Sequence, residues 1–177
     1  GYVLVNNERY LSAAQAIDTL VSYPWTCSEQ TTSKAGPILM GYIYDPKYMD
    51  YVAKRALKKP LRDWIQENID RIISRQNGNG EIGLWRLNDQ LVDPLLSAQI
   101  VELLAAAHLA GFSMPTDSVS KAYSWSYQLI KESNSIDNSQ RLRALSVLVK
   151  GISNHTKRAV RLARSLADQS NTANDLT

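Results

Sequence analysis

Apolar residues recur at intervals of three and four along most of the chain, which is the period of one face of an α-helix. No segment shows the strict apolar–polar alternation that is typical of a half-buried strand. The pattern therefore predicts an all-α fold in which short turns join antiparallel helical hairpins. The spacing predicts helices over residues 12–22, 28–44, 60–76, 93–111, 116–131, 138–150 and 154–168.

Residues that favour helix starts and stops support several of these boundaries. Asp93 is a good N-cap and is followed by a first-turn proline, while Gly111 lies where a left-handed C-cap is expected. Pro60 suits the first position of its helix, and Asp45-Pro46 is a break after residue 44. The periodicity alone fits a solenoid of helix pairs and a compact bundle equally well.

Composition and charge narrow the class of protein. The chain has 177 residues, of which 44% are hydrophobic and 21% charged, as expected for one soluble globular domain. A net charge of +3 with scattered basic residues does not favour a nucleic-acid partner. No apolar run reaches the length of a membrane span, and no secretory signal is present. Because Gly1-Tyr2-Val3 is not a natural start, we expect a piece of a longer protein.

The sequence gives no reason to expect a metal or cofactor. The two histidines, His108 and His155, are isolated and have no cysteine, aspartate or glutamate at ligand spacing. His108 is expected to pack or to face solvent.

The only cysteine carries the most specific chemistry in the chain. Cys27 stands three residues before Gln30 in the run Tyr-Pro-Trp-Thr-Cys-Ser-Glu-Gln-Thr-Thr-Ser. Because positions i and i+3 of a helix are neighbours, a sulfur and a carboxamide held there can condense, with loss of ammonia, into an internal thioester. A nucleophile that attacks the former Gln30 carbonyl would become attached, and Cys27 would leave as a thiolate. Against this stands the more common role of a free cysteine, a small buried hydrophobe.

The longer run resembles the thioester signature of the α2-macroglobulin and complement family, and it is most similar to that of the bacterial α2-macroglobulins. The main departure is Thr26, because the family usually has glycine before the cysteine. A β-branched residue there is stiffer and disfavours positive φ.

Two later segments are similar to the same family. One is the glycine-containing loop from Gln76 to Trp85, in which Leu84-Trp85 is expected to return to the core. The other is Asp93-Pro-Leu-Leu-Ser-Ala-Gln, followed by Gly-Phe-Ser-Met-Pro115. The resemblance is specific from about residue 23 to residue 115 and continues more weakly to about residue 166.

The resemblance implies part of an α/α-toroid, with residues 1–169 forming a thioester-type domain and residues 170–177 a polar tail. In such a domain Cys27 and Gln30 would form the thioester, and Glu29 would help to organise the site. Some of the aromatic residues near the cysteine would shield it from water. These aromatic residues are Tyr23, Trp25, Tyr42, Tyr44, Tyr48 and Tyr51.

The function implied is that of a single-use covalent inhibitor of endopeptidases and not of an enzyme. The resemblance implies a periplasmic parent that is often anchored as an inner-membrane lipoprotein and that takes part in bacterial defence. Complement-type members use a histidine to accept the acyl group first. The resemblance places the corresponding position near residues 138–140, where this chain has no histidine. The resemblance therefore favours lysine amines of the target protease as nucleophiles.

The partners expected are target proteases, other domains of the parent protein, and a second copy of the fragment. Self-association is expected if a partial toroid leaves the apolar faces of its terminal helices without neighbours. These faces comprise Ala13, Ala16, Ile17 and Leu20 at one end and Val160, Ala163, Leu166 and Ala167 at the other.

Two other classes of function stay open at the level of sequence. Gln76 and Gly80 are spaced as in the glutamine–tryptophan repeats of isoprenoid-type α/α-barrel enzymes, although Trp85 is displaced and no aspartate-rich acid motif is present. The chain would otherwise be a helical interaction module in which Cys27 is inert.

Overall fold

The computed structural model describes residues 13–54, 56–90 and 93–151, and within them the fold is all-α, as predicted. These ranges contain no strand beyond one isolated antiparallel bridge between Gln76 and Ile82. None of the helices in the described ranges is long and apolar enough to cross a membrane. The helices are α1 (Ala13–Ser22), α2 (Ser28–Tyr44), α3 (Pro46–Ala53), α4 (Leu61–Ile73), α5 (Pro94–Leu109), α6 (Ser118–Glu132) and α7 (Asn138–Gly151).

The predicted capping residues set the ends of α5. The carboxylate of Asp93 accepts hydrogen bonds from the backbone N–H groups of Leu95 and Leu96, at 2.8 and 3.0 Å. Gly111 follows the helix with φ +75°, the left-handed conformation that favours glycine. Because both ends are fixed by local chemistry, the bounds of α5 lie within two residues of those predicted.

The sequence pattern missed α3, which begins directly after α2. Asp45 ends one helix and caps the next, since its carboxylate accepts a hydrogen bond from the Tyr48 N–H at 3.0 Å. The helix is only eight residues long, so it shows too few periodic positions to stand out. The predicted helix over residues 154–168 and the polar tail lie outside the described residues.

The core is centred on α5, which is apolar on almost every side and packs against α2, α6 and α7. Helix α4 contributes Ile65, Ile69 and Ile72 to the same core, where all three side chains are fully buried. A helix in this central position links the packing of every later helix to that of α2, which carries the candidate site.

The apolar face of α1 does not stand free. Ile17 is buried, and Leu20 packs against the core cluster. The expected exposed face is therefore wrong for this end of the chain, because α2 and α3 cover it. The residues named for the other end lie outside the described residues, as does the side chain of Ala13.

The loop between α4 and α5 is built around a side-chain turn. The Asn77 carboxamide oxygen accepts hydrogen bonds from the N–H groups of Asn79 and Glu81, at 3.0 and 3.1 Å. Ile82 then returns to the core and is fully buried. Leu84 is half-buried, but Trp85 is half-exposed, so the prediction that Trp85 returns to the core is wrong. The carboxylate of Asp89 holds the turn at Trp85 instead, by accepting its N–H at 3.0 Å.

Candidate functional site

Cys27 and Gln30 meet at the start of α2. Cys27 is the N-cap, with φ −60° and ψ 168°, and its side chain is only 3% exposed. Its sulfur accepts the backbone N–H of Gln30 at 3.5 Å, while the Gln30 carboxamide oxygen accepts the backbone N–H of Cys27 at 3.4 Å. This reciprocal arrangement is a capping box in which cysteine and glutamine stand in for the usual serine and glutamate. It holds the sulfur and the carboxamide on the same side of the first turn.

The residue after the cysteine fastens this turn to the loop between α4 and α5. Ser28 is fully buried, and its hydroxyl donates to the Gly83 carbonyl at 2.7 Å. Its backbone N–H donates to the Leu84 carbonyl at 2.8 Å. Gly83 has no room for a side chain, because an added Cβ would lie 1.7 Å from the Arg86 carbonyl oxygen. The first turn of α2 thus rests on a closely packed backbone platform.

Arg75 joins the two elements from the end of α4. It is 7% exposed, and its guanidinium donates to the Ser28 hydroxyl at 3.1 Å and to the Thr26 carbonyl at 2.5 Å. The pKa of Arg75 lies below its usual value, mainly because burial disfavours the charge and secondly because Arg71 repels it. A negative charge at Cys27 or at Asp89 would raise the pKa of Arg75, but these effects are smaller than those of burial and Arg71.

Lys34 is a second buried cation beneath the same segment. It is 5% exposed, and its ammonium donates to the carbonyls of Tyr23 and Trp25, at 3.3 and 3.5 Å. Burial, followed by repulsion from Arg71, lowers the pKa of Lys34 below its usual value. Lysine is rarely buried without a charged partner, and here the backbone carbonyls of the segment before the cysteine accept its hydrogen bonds instead.

The other residues predicted for the site are placed less centrally. Glu29 is exposed in the first turn of α2, where its negative charge interacts favourably with the helix dipole. Trp25 lies two residues before the cysteine and is 59% exposed. Tyr44 lies at the far end of α2, about 25 Å from Cys27 at 1.5 Å per residue, so its proximity in sequence is not proximity in space.

The remaining aromatic residues and the histidine do not converge on the cysteine. Tyr42 packs edge-on against Phe112 at 6.0 Å between ring centroids, which accounts for it as a core residue. Tyr48 and Tyr51 lie on α3 and are exposed. His108 is exposed near the end of α5, and the described residues hold no group of three or more potential metal ligands.

The site therefore combines a sheltered sulfur, an adjacent carboxamide and two buried cations. Sequence reasoning selected Cys27 and Gln30 by their spacing but missed the roles of Ser28, Lys34 and Arg75. Lys34 directly follows the run that contains the cysteine, and its burial had no sequence signal. Arg75 is 47 residues from Ser28, and only the tertiary fold brings the two together.

No known family profile matches the chain, but two curated proteins are similar to it in sequence. An "Alpha-2-macroglobulin homolog" of Yersinia pestis is 33% identical over 98 residues, covering 55% of this chain and 5% of the relative. An "Alpha-2-macroglobulin" of Escherichia coli K12 is 29% identical over 121 residues, covering 68% of this chain and 7% of the relative. The chain thus spans less than a tenth of the length of these relatives.

Solved structures show the same fold. The native E. coli α2-macroglobulin from domain MG7 to the C-terminus aligns with a TM-score of 0.62 and 22% identity, covering 86% of this chain and 26% of that one. A Salmonella α2-macroglobulin reacted with methylamine aligns with a TM-score of 0.58 and 22% identity, covering 86% and 11% respectively. The chain is therefore a distant homologue of a segment of the bacterial α2-macroglobulins, within their C-terminal region.

Proposed function

We propose that this chain is the thioester-bearing part of a bacterial α2-macroglobulin-like protein that traps endopeptidases covalently. The observation that carries the proposal is the reciprocal capping of Cys27 and Gln30, which holds the two reacting groups on one side of the first turn of α2. Similarity to bacterial α2-macroglobulins supports the same reading, and the helical layout is compatible with part of an α/α-toroid.

The chemistry follows from the groups at the site. The Cys27 sulfur attacks the carboxamide carbon of Gln30, a C–S bond forms, and ammonia leaves. A thioester is an activated acyl group, so it must be kept from water until it is used. The burial of Cys27, which is 3% exposed, supplies part of that protection. After cleavage of the parent by a protease, a lysine amine of that protease would attack the Gln30 carbonyl carbon.

The protein is consumed in this reaction, so it acts as an inhibitor and not as an enzyme. Glu29 is assigned no chemical step, because it is exposed and its charge already suits the start of α2. Residues 138–140 at the start of α7 contain no histidine that could accept the acyl group first, which supports direct reaction with amines. The same proposal includes a periplasmic location and a lipid anchor on the parent protein.

The test uses the complete protein that contains this chain. Methylamine should be incorporated at Gln30, and one thiol should become titratable at Cys27 with the same time course. Cys27→Ala should abolish both events. Cys27→Ser is the matched control, because its hydroxyl can replace the sulfur as the N-cap acceptor but supplies no thiol, so it should also take up no methylamine. Uptake of methylamine at Gln30 in Cys27→Ala would overturn the mechanism.

A further inference from the structure

The guanidinium of Arg75 hydrogen-bonds to the residues on both sides of the cysteine. One hydrogen bond goes to the Thr26 carbonyl and the other to the Ser28 hydroxyl, so the residues before and after Cys27 are fixed to the same planar group. Neither contact requires a positive charge, because a neutral donor would satisfy a carbonyl and a hydroxyl equally well. The presence of a charged group at a buried position therefore calls for a separate explanation.

Among the residues that the structure describes, no anion contacts the buried charge of Arg75. Both hydrogen-bond acceptors of Arg75 are neutral, and the two ion pairs found among the described residues lie elsewhere, at Lys59–Glu67 and Lys121–Asp117. Asp89 lies within electrostatic reach, but its carboxylate is engaged by the N–H groups of Trp85 and Arg86 at 3.0 and 2.9 Å. An unpaired buried cation costs free energy of folding.

Other cations add to this charge. Lys34 donates to the backbone before the cysteine, and Arg71 lies close enough to lower the pKa of both Lys34 and Arg75. Lys34 and Arg75 therefore bring two positive charges into contact with residues 23–28, while the sulfur is neutral both as a thiol and in a thioester. Only one state of the site places a full negative charge there, namely the thiolate of Cys27.

We infer that Arg75 supplies the positive charge that stabilises the Cys27 thiolate as the thioester opens, an inference that rests on the proposed thioester function. In that step an amine nitrogen attacks the Gln30 acyl carbon, the C–S bond breaks, and its electron pair leaves on sulfur. The nitrogen gives up a proton and the thiolate takes one up, so the products are an amide and a thiol. Arg75 acts through Cys27 and is a positioning residue with a charge-dependent role.

The first experiment measures the thiolate without requiring the thioester. In a Gln30→Ala background, Cys27 is alkylated with iodoacetamide at neutral pH in the native protein. Adding Arg75→Met should slow alkylation about tenfold, because the thiolate is the nucleophile and one favourable charge is lost. Arg75→Lys keeps the charge but not the planar double contact. Its alkylation rate should stay within about threefold of the rate measured for Gln30→Ala alone.

A matched control separates the charge of Arg75 from the loss of a guanidinium in general. Arg62→Met removes an exposed guanidinium that donates to the Gly111 carbonyl, at the opposite end of α4 from Arg75. Because exposed distant charges are screened, its alkylation rate should stay within about threefold. Thermal unfolding of each variant establishes that it is folded. The inference would be overturned if Cys27 were alkylated at the same rate with and without Arg75→Met. It would also be overturned if Arg75→Met and Arg75→Lys slowed alkylation equally.

The second experiment separates this inference from the proposed function. In the complete protein, methylamine should release the Cys27 thiol about tenfold more slowly in Arg75→Met than in the wild type, with rescue by Arg75→Lys. Failure of the wild type to take up methylamine would contradict the thioester itself. Wild-type uptake with an unchanged rate in Arg75→Met would contradict only the role of Arg75.

Discussion

At the scale of single residues, the site is unusual for where it places charge. Lys34 and Arg75 are both buried, and both donate to backbone carbonyls of the segment that leads into Cys27. Backbone carbonyls at a turn need donors, and long cationic side chains can reach them from a neighbouring element. Burying two cations costs free energy, and this cost lowers the pKa values of both residues. The main cause is loss of hydration.

This cost predicts a pH dependence of stability. The pKa of Lys34 is lower in the folded protein than its ordinary value of 10.5. Between those two values the unfolded chain binds more protons than the folded chain, so the free energy of unfolding rises with pH through that window. Urea unfolding measured as the pH rises toward 10.5 should show a rise in the wild type that Lys34→Met lacks. An identical slope in both proteins would contradict the assignment.

The hydroxyl of Ser28 should matter for stability as well. Ser28→Ala removes a buried donor to the Gly83 carbonyl and a buried acceptor for Arg75. Leaving such groups unsatisfied costs about 1–3 kcal/mol, measured as the change in the free energy of unfolding in urea. Ser33→Ala, on the exposed side of the same helix, should change it by less than about 0.5 kcal/mol. Similar losses in the two variants would show that Ser28 does not anchor the turn.

At the scale of elements, the loop between α4 and α5 positions the first turn of α2, which carries the site. Its turn at Asn77 sends Ile82 into the core, and its carbonyls at residues 83 and 84 receive Ser28. The same loop contacts α6, because Gly80 approaches the Lys121 carbonyl closely. The loop is therefore the support on which the first turn of α2 is held.

A pair of glycines in this loop gives a matched test. Gly80 has φ +91°, and an added Cβ would lie 2.3 Å from the Lys121 carbonyl oxygen, whereas Gly78 meets nothing within 4 Å. Gly80→Ala should lower the free energy of unfolding by about 2 kcal/mol or more, and Gly78→Ala should change it by less than about 0.5 kcal/mol. Chemical denaturation measures both, and equal effects would contradict the described loop.

Elements with local signals were predictable from sequence. Asp93 and Gly111 marked the ends of α5 by capping chemistry that acts within a few residues. The eight-residue α3 was missed because its pattern is too short, and Trp85 was misplaced because Asp89, not apolar packing, fixes its turn. For the site, the Cys27–Gln30 spacing was visible in the sequence, but the contact between Arg75 and Ser28 depends on tertiary packing.

At the scale of the whole molecule, α5 joins the site to the rest of the fold. It packs against α2, α6 and α7. A loss of its packing should therefore also destabilise α2, which begins after Cys27. The same substitution at a buried and at an exposed leucine of α5 separates the loss of core packing from a change in helix propensity.

Leu104 and Leu109 provide the comparison. Leu104 is fully buried in the core cluster, and Leu109 is 83% exposed at the end of the same helix. Leu104→Ala should lower the free energy of unfolding by about 2–5 kcal/mol, and Leu109→Ala by less than about 0.5 kcal/mol. Urea titration monitored by circular dichroism measures both. A small effect at Leu104 would mean that α5 is not the centre of the core.

The most direct measurement of the central claim is the intact mass of the complete native protein. An internal thioester between Cys27 and Gln30 makes the wild type lighter than its encoded sequence by one ammonia, and Cys27→Ala should have its full encoded mass. Treatment with methylamine should then add the whole mass of methylamine to the wild type and nothing to the variant. A native wild type at its full encoded mass, with Cys27 titrating as a thiol before any nucleophile is added, would contradict the account.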